Sequence, residues 1–173
     1  VVVCCFQLMV VVACCQLAVA GAVVAPVVCC CCWYQTAAVE APAPAVAELT
    51  IGLMVSLFRH TYTANALLHD GQWHRFMGRR IGEATIGVIG VGRIGSRVIQ
   101  ILSSFGVRRL IANDVTPQID SLQGIDVEWV DQDQVFREAD IVTLHVPLTT
   151  DTRNMVGRAH LDMMKADAVL VNT

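Results

Sequence analysis

Thr85-Ile86-Gly87-Val88-Ile89-Gly90-Val91-Gly92-Arg93-Ile94-Gly95 is the stretch that decides the fold of this chain. An apolar, β-rich run enters a turn with glycines at 90, 92 and 95. A helix pattern leaves it, carried by Ile94, Val98, Ile99, Ile101 and Leu102. Glycines at this spacing mean little alone; the strand before them and the helix after them give the motif its content. Gly90 permits the tight strand-to-helix turn. Gly92 leaves room for a pyrophosphate to approach the backbone, and Gly95 lets helix and strand pack closely. The helix start then offers free N–H groups and the positive end of a dipole to phosphates.

Asp114 closes the next apolar run, 19 residues after Gly95. A carboxylate there accepts hydrogen bonds from the adenosine ribose hydroxyls of a dinucleotide and repels a 2′-phosphate. Val115-Thr116-Pro117 supplies no arginine to offset that repulsion. The sequence therefore favours NAD over NADP. The bland reading of Asp114 is a solvated carboxylate at a strand end.

Working outward, the pattern alternates between strand and helix. Strands are expected at Thr85–Ile89, Arg109–Asn113, Val127–Val130, Ile141–Val146 and Ala168–Val171. Helices are expected at Ile94–Phe105, stopped by Gly106, at Asp133–Glu138 and at Ala159–Met164. Alternation of this kind implies an α/β fold, a Rossmann-like doubly wound parallel sheet covered on both faces. Before it, a single helix is expected from about Ala45 to Leu68, with Leu49, Leu53 and Leu57 on one track and Ile51, Val55 and Phe58 on another. Trp73, Phe76 and Met77 are expected to pack the joint that follows.

The first 44 residues are different in kind. All eight cysteines (4, 5, 14, 15, 29, 30, 31 and 32) lie there, and no charged residue precedes Glu40. The apolar run is long enough to cross a bilayer, which takes roughly 20 residues. It lacks the basic start of a secretory signal. Its cysteines lack the spacing of a disulfide framework, and no histidine joins them to make a zinc site. By composition residues 1–44 are an atypical apolar, Cys-rich segment, leading through the Ala/Pro-rich connector at 37–47 into a domain in residues 45–173. The net charge of −3 gives no reason to expect a nucleic acid partner.

From about Ala45 the chain resembles the D-2-hydroxyacid dehydrogenase family, the group that includes D-3-phosphoglycerate dehydrogenase and formate dehydrogenase. Ala47-Glu48-Leu49-Thr50 resembles the helix entering that family's cofactor domain, and Gly71-Gln72-Trp73 its Gly-x-Trp joint. Ile86 to Gly95 resembles its glycine loop, and His145-Val146-Pro147-Leu148-Thr149 its strand-end segment beside the cofactor. Leu170-Val171-Asn172-Thr173 resembles the start of the strand leading to its catalytic arginine.

The resemblance implies an NAD-dependent oxidoreductase that moves hydride between NAD and carbon 2 of a 2-hydroxy or 2-oxo acid, cytoplasmic and homodimeric. It implies that Gly90, Gly92, Arg93, Ile94 and Gly95 line the pyrophosphate and that Asp114 holds the ribose. Val146 and Pro147 would flank the cofactor, with Thr173 near the nicotinamide end. Residues 1–44 would be a soluble remnant of a second, substrate domain beside a cofactor domain in residues 45–173, with a membrane tether through residues 1–34 as the alternative. His145 is expected to be a satisfied strand-end histidine, and Pro147 is equally a plain strand terminator. The family's arginine, glutamate and histidine would follow Thr173. No catalytic residue and no metal ligand is therefore assigned, and the 173 residues alone are expected to bind cofactor without turnover. A non-enzymatic NAD-binding module of the corepressor type is the alternative function.

Overall fold

The computed structural model describes residues 43–117 and 119–173, together with the backbone of Val2–Cys5. Six strands form one sheet: β1 Val2–Cys5, β2 Thr85–Ile89, β3 Arg109–Asn113, β4 Glu128–Trp129, β5 Ile141–Leu144 and β6 Val169–Asn172. Their order across the sheet is β1-β6-β5-β2-β3-β4, and every pairing is parallel. Helices α1 Ala43–Phe58, α2 Thr61–His69, α3 Arg93–Ser104, α4 Gln132–Glu138 and α5 Arg158–Met163 complete the described chain. Of residues 1–44, Val2–Cys5 extend the sheet beyond β6 and Ala43–Pro44 open α1; the rest of that stretch lies outside the described residues.

The sheet has an apolar core on each face, as a parallel sheet must. On one face, Ile86, Val88, Leu110, Ala112, Ile141, Val169 and Val171 pack with Val98, Ile99 and Leu102 of α3 and Ala47, Ile51, Met54 and Phe58 of α1. On the other, Ile89, Ile111, Val142, Leu144 and Leu170 pack with Val135 and Phe136 of α4. Gly87 lets α4 settle onto the strands: a Cβ there would stand 2.4 Å from Val135 Cγ1.

Four expectations need correction. The connector ends before Ala43, because Pro44 falls in the first helical turn, where the missing N–H costs nothing. The long helix is two, broken at His60, which takes a left-handed conformation (φ 54°). The break has a tertiary cause: the Phe58 carbonyl accepts from the Arg79 N–H at 2.9 Å, and the Arg79 guanidinium lies 4.7 Å over the Phe58 ring. The buried track of α1 is Ala47, Thr50, Ile51, Met54 and Phe58, whereas Leu49 is 41% exposed. Finally, Trp73 and Met77 do not pack the joint; they are 79% and 89% exposed, while Phe76 meets the His60 ring tilted at 5.3 Å and the His74 ring edge-on at 4.5 Å.

Candidate functional site

From β2 the sheet grows in two directions, to β3 on one side and to β5 on the other. The crevice above the carboxyl ends of β2 and β5 is therefore the topological switch point, where open α/β sheets bind ligands. The glycine turn lies there. Gly90 has φ +90°, and a Cβ on it would fall 2.8 Å from the His145 carbonyl and from Val146 Cγ1. The loop after β2 and the segment after β5 are thus in direct contact. Gly95 is buried with its would-be Cβ 2.1 Å from the Gly90 carbonyl oxygen, so helix and strand approach as closely as backbone allows.

Gly92 is the exception among the three. A Cβ at 92 would meet nothing within 4 Å. Its absence serves no contact among the described residues; it keeps space open at the helix start. Gly92 is the N-cap of α3 and offers no side-chain hydrogen bond to the helix. The first intrahelical bond runs from Ser96 N–H to the Gly92 carbonyl at 3.0 Å, so the amides of residues 93 to 95 have no carbonyl of their own to meet. The first turn carries no acid, and Arg93 stands exposed in it. These features fit a dinucleotide pyrophosphate laid across the turn: open space at 92, free donors behind it and a cation beside it.

Asp114 follows β3 and is partly buried. Its Oδ2 accepts from the Val91 N–H at 2.5 Å and its Oδ1 from the Thr116 N–H at 2.8 Å. The carboxylate is therefore fixed beside the turn rather than solvated at a strand end. Val146 is half-buried and Pro147 exposed; the Pro147 carbonyl accepts from the Thr152 hydroxyl, which closes the segment into a compact turn.

Thr173, just past β6, has a partner the sequence did not suggest. Thr50 of α1 is fully buried, donates to the Val46 carbonyl at 2.8 Å, and lies 3.2 Å from Thr173 Oγ1. The single Thr50 hydroxyl proton is used on Val46, so Thr173 donates to Thr50 and keeps its own lone pairs as acceptors. A threonine inside the apolar face of a helix was the available signal.

His145 departs from the satisfied histidine expected. Its Nε2 shares a hydrogen bond with Thr143 Oγ1 at 3.0 Å, but its buried Nδ1 has no partner among the described residues. Burial pushes its pKa down to about 4, so the ring is neutral at physiological pH. Of the other histidines, His60, His69 and His74 are exposed, and His160 caps the start of α5 by accepting from the Gly157 N–H at Nδ1.

Two clefts of about 340 and 540 Å³ lie at the opposite, amino ends of the strands, around Arg108, Arg109, Thr85 and Asp140. Paired charges dominate them. Asp140 receives Lys165 at 2.9 Å, Arg79 at 3.0 Å and the Thr85 N–H at 2.7 Å. Burial works against that carboxylate, but these donors outweigh it and hold its pKa below the usual value. This end is architecture; no group of three or more metal-ligating side chains occurs among the described residues.

Fold and site together define a Rossmann-type dinucleotide-binding domain. The comparisons give it a family. The model of the D-isomer specific 2-hydroxyacid dehydrogenase NAD-binding domain matches residues 51–173. The chain belongs to that family, and the part described here is its NAD-binding domain, with NAD as the cofactor.

Among curated relatives, hydroxypyruvate reductase of Thermotoga maritima is 38% identical over 135 residues, covering 77% of this chain and 43% of that protein. D-3-phosphoglycerate dehydrogenase of Methanocaldococcus jannaschii is 39% identical over 138 residues, covering 78% of this chain and 26% of that protein. The chain thus spans less than half the length of these relatives. Among solved structures, D-lactate dehydrogenase with NAD+ from Lactobacillus jensenii superposes with a TM-score of 0.70 at 35% identity, covering 79% of this chain and 41% of that one. Apo D-lactate dehydrogenase from Escherichia coli gives 0.68 at 37% identity, covering 74% and 40%.

Proposed function

We propose that this chain is the cofactor-holding part of an oxidoreductase that moves hydride between NAD and carbon 2 of a 2-hydroxy or 2-oxo acid. The observation that carries the reading is the glycine turn at the switch point, in contact with His145 and Val146 at the end of the neighbouring strand. Gly90, Gly92, Arg93, Ile94 and Gly95 hold the pyrophosphate on the α3 amides. Asp114 takes the adenosine ribose, and Val146 and Pro147 flank the cofactor. Thr173, its proton committed to Thr50, presents acceptors toward the nicotinamide end. NAD supplies the hydride chemistry when bound; the residues of this chain orient it.

Calorimetric titration with NAD and NADP tests the cofactor half of the proposal. Binding of NAD in preference to NADP supports it, and preference for NADP refutes the role given to Asp114. Assay of the protein in its full-length context with NADH and a panel of 2-oxo acids tests the reaction. Absence of turnover with every acid, despite NAD binding, favours the non-enzymatic NAD-binding module.

The same reading includes a homodimer. Helix α2 buries none of its residues, yet Tyr62 and Leu68 on it, with Trp73 and Met77 just beyond, leave large apolar side chains in water. These exposed side chains are ones a second copy would bury. Sedimentation at micromolar concentration checks it: a monomer removes the dimer. No helix among the described residues is long and apolar enough to cross a membrane. A cytoplasmic location accompanies the reading, and cell fractionation tests it.

A further inference from the structure

We propose that Asp114 is a positioning residue for the glycine turn itself, holding the Val91 amide so that the phosphate cradle keeps its shape before a dinucleotide arrives. The consequence rests on the cofactor reading above; the geometry does not.

Two consecutive amides of the turn are tied to two consecutive residues at the end of β3. Gly90 N–H donates to the Asn113 carbonyl at 2.9 Å, continuing the ladder between β2 and β3 by one rung. Val91 N–H comes next, just past the end of β2, and Asp114 Oδ2 receives it at 2.5 Å, a side-chain acceptor outside the ladder. Val91 is fully buried. Without the carboxylate its N–H is a buried donor with no partner, which is costly. Gly92 and the open amides of α3 follow directly, so the direction in which the chain leaves Val91 sets where those amides point.

The carboxylate has capacity for both tasks. Its two oxygens offer about four acceptor positions. Val91 and Thr116 take one on each oxygen, and two remain for the two hydroxyls of a ribose. Holding the turn and reading the sugar are therefore simultaneous, and cofactor choice and loop shape are coupled through one side chain. Electrostatics makes the roles separable. A carboxylate beside a phosphate cradle repels phosphate, so a residue that only read ribose would, on removal, leave binding of a hydroxyl-free diphosphate unchanged or tighter. A residue that shapes the cradle would leave it weaker.

The probe is 2′,3′-dideoxyadenosine 5′-diphosphate, titrated by calorimetry into the full chain and its Asp114→Ser and Asp114→Asn variants. The expected result is a loss of about tenfold in Asp114→Ser, the scale of one hydrogen bond to a charged group. Asp114→Asn keeps one acceptor oxygen for the buried Val91 amide and turns its NH2 toward Thr116, whose exposed N–H water can serve, and so recovers most of that loss. Unchanged or tighter binding by Asp114→Ser overturns the proposal even if NAD binding falls. Two measurements need no ligand. In the wild-type chain, NMR coupling across the hydrogen bond should link the Val91 amide nitrogen to the Asp114 carboxyl carbon; its absence overturns the proposal whether or not the variants fold. In Asp114→Ser, the amide resonances of Gly92 and Gly95 should shift, and Asp114→Asn should reverse the shift. If these hold while the wild type fails to bind NAD, the site reading fails and the positioning role stands.

Discussion

Gly95 lies so close under Gly90 that a single added methyl at 95 would sit 2.1 Å from the Gly90 carbonyl oxygen. The obstacle is backbone on both sides, so no side-chain rotation relieves it. Gly95→Ala is expected to force the helix off the strand at a cost of roughly 2–3 kcal/mol and to lose NAD binding with it. Thermal or denaturant unfolding measures the first effect. A variant as stable as wild type would contradict the close approach.

Gly92→Val should separate binding from folding. The space beside Gly92 is open and its backbone, with φ −83°, suits any residue. Stability should fall by no more than about 1 kcal/mol, the scale of replacing a favoured N-cap residue by a poor one. NAD affinity should fall beyond detection in calorimetry, because the side chain takes the place of the pyrophosphate. Unchanged affinity in a folded variant would place the cofactor elsewhere.

Asp140→Ala should do the reverse. It strips the Thr85 N–H, Lys165 and Arg79 of a shared acceptor that is 15% exposed. The expected cost is about 1–3 kcal/mol, chiefly from the unpaired Thr85 amide; Lys165 and Arg79 are 40% and 38% exposed, and Arg79 keeps Asp167 at 2.8 Å. NAD affinity of the folded fraction should be unchanged, since Asp140 lies at the amino end of the sheet. A variant whose stability holds while its affinity collapses would mean that the two ends of the strands are energetically coupled.

The histidine at 145 makes stability depend on pH. Its folded pKa is about 4 against an ordinary 6.5. Between those values the unfolded chain takes up a proton that the native ring refuses, so stability falls as pH drops from about 6.5 to about 4. The lost stability approaches 3 kcal/mol at the low end, at about 1.4 kcal/mol per pKa unit. His145→Gln should flatten that part of the profile relative to wild type. Unfolding midpoints measured at intervals across the window check the sign and the slope. Parallel profiles would show that other groups carry the dependence.

Local chemistry made much of this protein legible before its structure was described. The glycine spacing, the apolar run before it and the helix period after it are features of neighbouring residues. They set β2 and α3 to within a residue, and the apolar run that ends at Asn113 set β3. Asp114 was legible by its distance along the chain. So was the parallel sheet, because strands that alternate with helices have few other ways to bury both faces.

Tertiary structure decided what depends on partners far away in sequence. The helix break at His60 arises because Arg79 claims the Phe58 carbonyl, a competition invisible in a helix-favouring run. The exposure of Trp73 and Met77 was hidden for the same reason, since an apolar side chain does not say whether a surface stands opposite it. Thr50 meets Thr173 across 123 positions, and Val91 meets Asp114 across 23. Sequence names the residues that have chemistry; hydrogen-bond partners, which act over about 3 Å, are assigned only when the fold has brought them together.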